Sequence, residues 1–406
     1  MENTLYNSLF FIAFIFYSLS AMKRILAIIS TILTCSLASA QSVDVYHSSI
    51  LSSYSADELE DIAFEHEATG STVSIHKAGE EPLRITTDNV AGIHFSDRPV
   101  DTCTKYADGV PAQVVFSCIE VNNTNPLQHL NFHLRKSNKN LFDAVILFSS
   151  NINFSKKEDV VYIHNNENVQ PVLNNWEHYI KPLKERGIKV LLSLLGNHDG
   201  SGLANLDEQR AKLFAQAIAD TLDKYDLDGV FFDDEYSEYN KGLSGQGYQG
   251  FLASPSYEAA SRLAYETKQA IGDKWLVLYK YGYYNMAVSI DGKKPGDYVD
   301  YVLTDYNQSA AGFKTQYPGV DDRQIGCYSV NINGYYNKKN VKNLRTGKYG
   351  AFMIYNLDQT AYDFLYSKQM TLEDFSDYLF DDELEVTETY YYKDWKTIDE
   401  LKEPVR

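Results

Sequence analysis

The rhythm of apolar and polar positions changes along the chain near residue 113. From Ser42 to Ala112 short alternating pieces, such as Thr72 to His76 and Leu83 to Thr86, read as strands, and Asp57 to Glu67 reads as a helix. A small accessory module is expected over residues 41–112. From Gln113 onward, continuous apolar runs alternate with amphipathic stretches. The strand-like runs are Val114–Val121, Ala144–Phe148, Lys189–Leu195, Gly229–Asp233, Leu276–Tyr279, Tyr301–Leu303, Gln324–Ser329 and Ala351–Tyr355. Helices are expected over Val172–Arg186, ended by Gly187, and over Asp207–Tyr225. Apolar strands alternating with helices predict an α/β fold whose parallel sheet is covered on both faces. Eight such units over residues 113–370 predict a (β/α)8 TIM barrel, with an open doubly wound sheet as the alternative that periodicity admits. Residues 371–406, acidic and Tyr-rich with Asp381-Asp382-Glu383, read as a solvated peripheral tail.

The first 40 residues read as a targeting region. Met22-Lys23-Arg24 is a charged start, Ile25 to Leu37 an apolar segment and Ala38-Ser39-Ala40 a cleavage site, so a signal peptide over 22–40 and an exported mature chain from Gln41 are expected. The apolar stretch Leu9 to Tyr17 precedes that second methionine, which makes Met22 the expected start of translation; an anchor built from both stretches is the rival. With cleavage near Ala40 the mature chain has no transmembrane segment. Cys103, Cys118 and Cys327 remain, an odd number that excludes a full disulfide framework. Cys118 fits either a bridge to Cys103 or a buried thiol in its strand. A net charge of −18 argues against nucleic acid or an anionic membrane as partner. The 32 tyrosines offer flat faces with hydroxyls, which suit sugar rings.

Leu227 to Tyr239, LDGVFFDDEYSEY, carries the strongest chemical signal. An apolar strand runs into Asp233, Asp234 and Glu235, and side-chain alternation puts Asp233 and Glu235 on one face with about 7 Å between their Cα atoms. In a barrel this is the C-terminal rim, where active sites form. Two carboxylates so close favour a shared proton near neutral pH, as a general acid requires. Three consecutive acids cannot all face one ion, which counts against a metal-dependent hydrolase.

The segment resembles the DGxDxDxE signature of glycoside hydrolase family 18. IEVNNTNP from Ile119, FDAVILFSSNINF from Phe142, NENVQPVLNN from Asn166, GIKVLLSLLGNHDGSGLANL from Gly187 and YNLD from Tyr355 are similar to segments of its endoglycosidase H and F1 group of endo-β-N-acetylglucosaminidases. The resemblance covers about Gln113 to Tyr366. It implies substrate-assisted, retaining cleavage of the GlcNAc-β1,4-GlcNAc core of N-linked glycans, of the high-mannose or hybrid kind, with no cofactor and no metal. It implies that Glu235 is the general acid and base, that Asp233 orients the substrate acetamide, and that Tyr306 hydrogen-bonds the acetamido carbonyl. Phe231 replaces the middle Asp of the signature, and parity places it below Asp233 on the same face.

Tyr279, Tyr355, Asn356, Asn197 and Asp234 lie at strand ends or in the adjoining loops and are expected to contact glycan. Asp228 is expected to shape the start of its strand, Glu238 to be a surface acid, and His198 with Asp199 to form a hydrogen-bonded pair. N-linked glycoproteins are the expected partners and a monomer the expected state. A chitinase, or a non-catalytic glycan-binding barrel, are the competing functions; the intact Glu235 argues against the latter.

Overall fold

The computed structural model describes residues 42–47, 50–67, 70–87, 90–96, 105–107, 110–122, 124–137, 139–241, 251–280, 282–332, 337–346, 349–357 and 372–387. The expected signal segment, Cys103 and the last residues of the acidic tail lie outside them. The chain divides into two compact units between Pro111 and Ala112.

The first unit is β-structure. Strands Ser42–His47, Ile50–Ser55 and Val90–Ser96 form one antiparallel sheet, and Leu59–Glu67, Gly70–Lys77 and Leu83–Thr86 a second. Val43, Val45, Leu59, Ile62, Val73, Ile75 and Ile85 form one apolar cluster. The helix expected over Asp57–Glu67 is instead a 3-10 turn, Ala56–Glu58, followed by a strand. A register shift between Leu59 and Asp61 turns both Leu59 and Ile62 inward. That bulge produces the i, i+3 apolar spacing that mimics a helix.

The second unit is a closed TIM barrel of eight parallel strands: β1 (Val114–Glu120), β2 (Ala144–Ser155), β3 (Lys189–Leu195), β4 (Gly229–Phe232), β5 (Trp275–Lys280), β6 (Tyr301–Thr304), β7 (Ile325–Gly326) and β8 (Ala351–Tyr355). Each pairs with the next, and β1 closes the sheet by pairing with both β2 and β8. β7 is shorter than the apolar run suggests, because Tyr328 takes φ 58° and cannot extend the strand. The helix expected over Val172–Arg186 is broken into Val169–Asn174, Trp176–Tyr179 and Lys181–Glu185. Pro182, lacking an N–H, stands at the start of the last piece. Between β3 and β4 the helix Glu208–Lys224 is capped by Asp207, which accepts the Arg210 N–H at 2.9 Å, and it buries Ala211, Phe214, Ala215, Ile218 and Leu222 on one face.

Period-two alternation fills the barrel. Phe116 and Cys118, Ala144 and Ile146, Leu191, Phe231, Val277 and Tyr279, Leu303, and Ala351 and Met353 face one cluster. Phe116 and Trp275 each pack edge-on against Tyr301 and tilted against each other, with centroids 5.1–5.8 Å apart, at the end where β5 and β6 begin. Asp143, Asp228 and Asp300 each stand one residue before β2, β4 or β6. Their carboxylates accept the N–H of Val115, Val190 and Leu276 at 2.6, 2.9 and 2.7 Å, which is how Asp228 shapes its strand.

The acidic C-terminal segment, expected to be solvated, is packed over its described part. The helix Leu372–Phe380 buries Leu372, Phe375, Leu379 and Phe380, with the Phe375 ring 5.5 Å from that of Phe352. Leu384–Val386 pairs antiparallel with Phe132–Leu134, and buried Asp382 accepts the N–H groups of Lys136 (2.7 Å) and Ser137 (3.0 Å). The apolar spacing of this helix outweighs the acids between its faces.

Candidate active site

β4 ends at Phe232, where its apolar run ends and one residue short of the expected Asp233, but its ladder with β3 continues. The Asp233 N–H donates to the Leu194 carbonyl (3.0 Å), and the Gly196 N–H donates to the Glu235 carbonyl (2.9 Å). A Cβ on Gly196 would lie 2.3 Å from the Ser237 nitrogen, so only glycine lets the loop after β3 close onto the turn carrying Glu235. Asp233 Oδ1 accepts the backbone N–H of Glu235 at 3.1 Å.

Asp233 is 3% exposed and sits directly above Phe231 in the alternation of β4. Burial pushes its carboxyl well above the usual carboxylate range; the charge of Glu235 adds to the shift, the N–H from Glu235 opposes it, and Asp234 and Asp305 contribute further. Glu235 is half-buried in the turn. Phe231 packs against Tyr279, with centroids 5.9 Å apart, and makes the floor apolar.

Three of the expected tyrosines converge here. Tyr306 lies between Tyr355 (centroids 5.8 Å) and Tyr279 (6.5 Å). Burial first, then neighbouring charges that include Asp233 and Glu235, raise the Tyr306 phenol, so its hydroxyl stays protonated and able to donate. The Tyr279 hydroxyl donates to Asp305 Oδ1 (2.6 Å), which also accepts the Tyr306 N–H (2.6 Å). The Tyr355 hydroxyl donates to Glu120 Oε1 (2.7 Å). Asn356, at φ 68°, donates its N–H to the Cys118 carbonyl (3.0 Å).

Other expected residues are placed differently. Asp234 points away from Asp233, as alternation requires, and its Oδ1 accepts the hydroxyls of Ser237 (2.8 Å) and Tyr239. Burial pushes its carboxyl up to about 6 against the pull of those hydroxyls. Asp234 therefore braces the turn from behind. Asn197 donates to Asn153 Oδ1 at 3.1 Å, tying the loop after β3 to the extension of β2. His198 and Asp199 do not form a pair: His198 Nδ1 meets Glu238 at 2.9 Å, while Asp199 accepts the N–H groups of Phe154 and Ser201. Cys118 is a free buried thiol inside the barrel, raised by burial and by the charges of Asp233 and Glu120. Glu120 and Asp305 escaped the residue-by-residue reading. Parity could have found Glu120, the next inward position on β1 after Val114, Phe116 and Cys118.

No family model matches the chain. Endo-β-N-acetylglucosaminidase F1 of Elizabethkingia meningoseptica is 45% identical over 284 residues, 69% of this chain and 82% of that protein. An endo-β-N-acetylglucosaminidase of Flavobacterium sp. (strain SK1022) is 34% identical over 243 residues, 59% of this chain and 73% of that protein. Among solved structures, Bacteroides thetaiotamicron EndoBT-3987 in complex with Man9GlcNAc2Asn substrate matches with a TM-score of 0.62 at 29% identity, over 84% of this chain and 85% of that one.

Proposed function

The chain belongs to the endo-β-N-acetylglucosaminidases, and from that premise we propose that it hydrolyses the β1,4 bond between the two GlcNAc residues at the core of N-linked glycans, of the high-mannose or hybrid type. We place it in the H and F1 group of glycoside hydrolase family 18. The observation that carries this reading is the pairing of Asp233, buried over Phe231, with Glu235 in the turn that Asp233 itself closes.

Two adjacent carboxylates hold one proton between them. In the free site burial favours the protonated form of Asp233. A substrate acetamide N–H docked on Asp233 Oδ2 favours the ionised form and leaves the proton to Glu235. Glu235 protonates the glycosidic oxygen as the acetamido carbonyl oxygen attacks the anomeric carbon, the C–O bond breaks, and an oxazolinium forms. Asp233 stabilises the positive charge developing on the acetamide nitrogen, and the Tyr306 hydroxyl donates to the acetamido carbonyl and orients it. Glu235, now a carboxylate, takes a proton from water that attacks the anomeric carbon, restoring the starting configuration. The segment at 22–40 supports export, which brings the enzyme to extracellular or periplasmic glycoproteins.

Incubation with a high-mannose glycoprotein, with and without EDTA, tests the reading. The expected result is a mass shift that leaves one GlcNAc on the protein, insensitive to EDTA. Glu235→Gln is expected to abolish cleavage while leaving glycan binding intact. Failure to cleave any N-glycan, or loss of activity with EDTA, overturns it.

A further inference from the structure

On β1 the inward positions Val114, Phe116 and Cys118 are followed at the rim by Glu120, a carboxylate that the mechanism above does not use. Its strand neighbours are Phe148 on β2, opposite it in register, and Tyr355 on β8, opposite Cys118. Phe148 meets Tyr355 edge-on at 6.1 Å. Glu120 Oε1 accepts the Tyr355 hydroxyl at 2.7 Å, a hydrogen bond strengthened by the negative charge of the acceptor.

Tyr355 is the last residue of β8, and Asn356 turns the chain away at φ 68°. The backbone thus fixes one end of the Tyr355 ring, and Glu120 fixes the other. That ring lies at 32° to Tyr306 with centroids 5.8 Å apart, and on the opposite side Tyr279 is held by Asp305. Tyr306 is therefore clamped between two tyrosines, each tethered by a carboxylate from a different strand end. A phenol that must place its hydroxyl on a small acetamide gains from such a clamp, because small displacements of a catalytic donor cost large factors in rate.

We propose that Glu120 is a positioning residue: by holding the Tyr355 hydroxyl it fixes the Tyr355 ring against Tyr306 and so aims the Tyr306 hydroxyl at the substrate. This rests on the reading of Tyr306 as the acetamide donor. Glu120 acts on the orientation of a reacting group, so its loss lowers kcat and leaves substrate affinity nearly unchanged.

The test is a set of variants assayed on a high-mannose glycopeptide: Glu120→Leu, Glu120→Gln, Tyr355→Phe and the double variant Glu120→Leu/Tyr355→Phe. Glutamine keeps an oxygen that can accept the phenol, and phenylalanine keeps the ring but cannot donate. Glu120→Leu and Tyr355→Phe are each expected to lower kcat about 10- to 100-fold with KM changed less than about twofold. Glu120→Gln is expected to recover kcat to within about threefold, and the double variant to be no worse than the weaker single one, since both remove one interaction. Wild-type kcat in Glu120→Leu, additive losses in the double variant, or raised KM at full kcat each overturn the inference while the wild-type cleavage leaves the proposed function standing. A wild type that cleaves no N-glycan removes the proposed function, and this inference with it.

Discussion

Asp233 Oδ1 accepts the backbone N–H of Glu235 at 3.1 Å, so the two carboxylates belong to one turn and cannot move independently. Their surroundings differ: Asp233 is buried over an aromatic floor, while Glu235 stands half-open at the rim. An amide at 233 can still accept that N–H but carries no charge for the oxazolinium. Asp233→Asn is expected to keep the fold and lower kcat about 10²- to 10³-fold. It should also stabilise the protein at neutral pH. A carboxyl whose native pKa is raised holds its proton in the native state after the unfolded chain has lost its own, so stability falls as pH rises through that window. Asparagine removes the loss. Thermal melts should show a higher Tm for Asp233→Asn at pH 7, with the gain gone near the unfolded carboxyl value; an equal gain at both pH values would contradict this.

Phe231 puts an apolar ring where the signature that this segment resembles has a carboxylate. Introducing Asp there by Phe231→Asp buries a second carboxyl beside Asp233 and opens a cavity against Tyr279. The variant is expected to lose roughly 3–5 kcal/mol in denaturant unfolding. The wild type is expected to be the more active of the two. A wild type inactive on every N-glycan beside an active variant would show that Asp233 and Glu235 need that third carboxylate.

Asp234 braces the turn that carries Glu235, through Ser237 and Tyr239. Asp234→Ala removes the acceptor that Ser237 and Tyr239 share and is expected to cost about 1–3 kcal/mol. Because the turn carrying Glu235 then loosens, kcat should fall more than KM rises. Asp234→Asn, which keeps the acceptor, should fall less. A rise in KM alone would instead mark Asp234 as a sugar contact.

His129 is fully buried beside β1. One ring nitrogen meets the Pro126 carbonyl (2.7 Å) and the other the Ser117 hydroxyl (2.8 Å), an arrangement suited to the neutral ring. Burial lowers its pKa to about 4. The unfolded chain gains a proton near pH 6.5 that the native chain refuses until about pH 4, so stability is full above about 6.5 and is lost as pH falls toward 4, by about 3 kcal/mol in all. His129→Gln should flatten the part of the pH–stability curve between those values; an unchanged slope would show that other groups set it.

The barrel was legible because each parallel strand is buried on both faces, which writes it into the chain as an uninterrupted apolar run. Helix Glu208–Lys224 was legible through its stripe of buried residues and its Asp207 cap. Where a tertiary feature imitates another local pattern, the reading failed. The bulge at Leu59 and Asp61 gave a strand helical spacing, and the acids of residues 381–383 concealed a helix whose apolar side was already committed to the barrel.

The candidate pair, Asp233 and Glu235, and the ring of Phe231 beneath it are readable from the sequence alone. Alternation along the strand predicts that Phe231, Asp233 and Glu235 share a face and that Asp234 does not, and this needs no knowledge of any other strand. What only the tertiary structure decided is how that face is completed. Glu120 lies 115 positions before Glu235, and Tyr306 lies between Tyr279 and Tyr355, which come from different strands. Closure of the barrel brings these strand ends to one rim, and hydrogen bonds such as that from Tyr355 to Glu120 depend on side-chain distances that local periodicity does not encode.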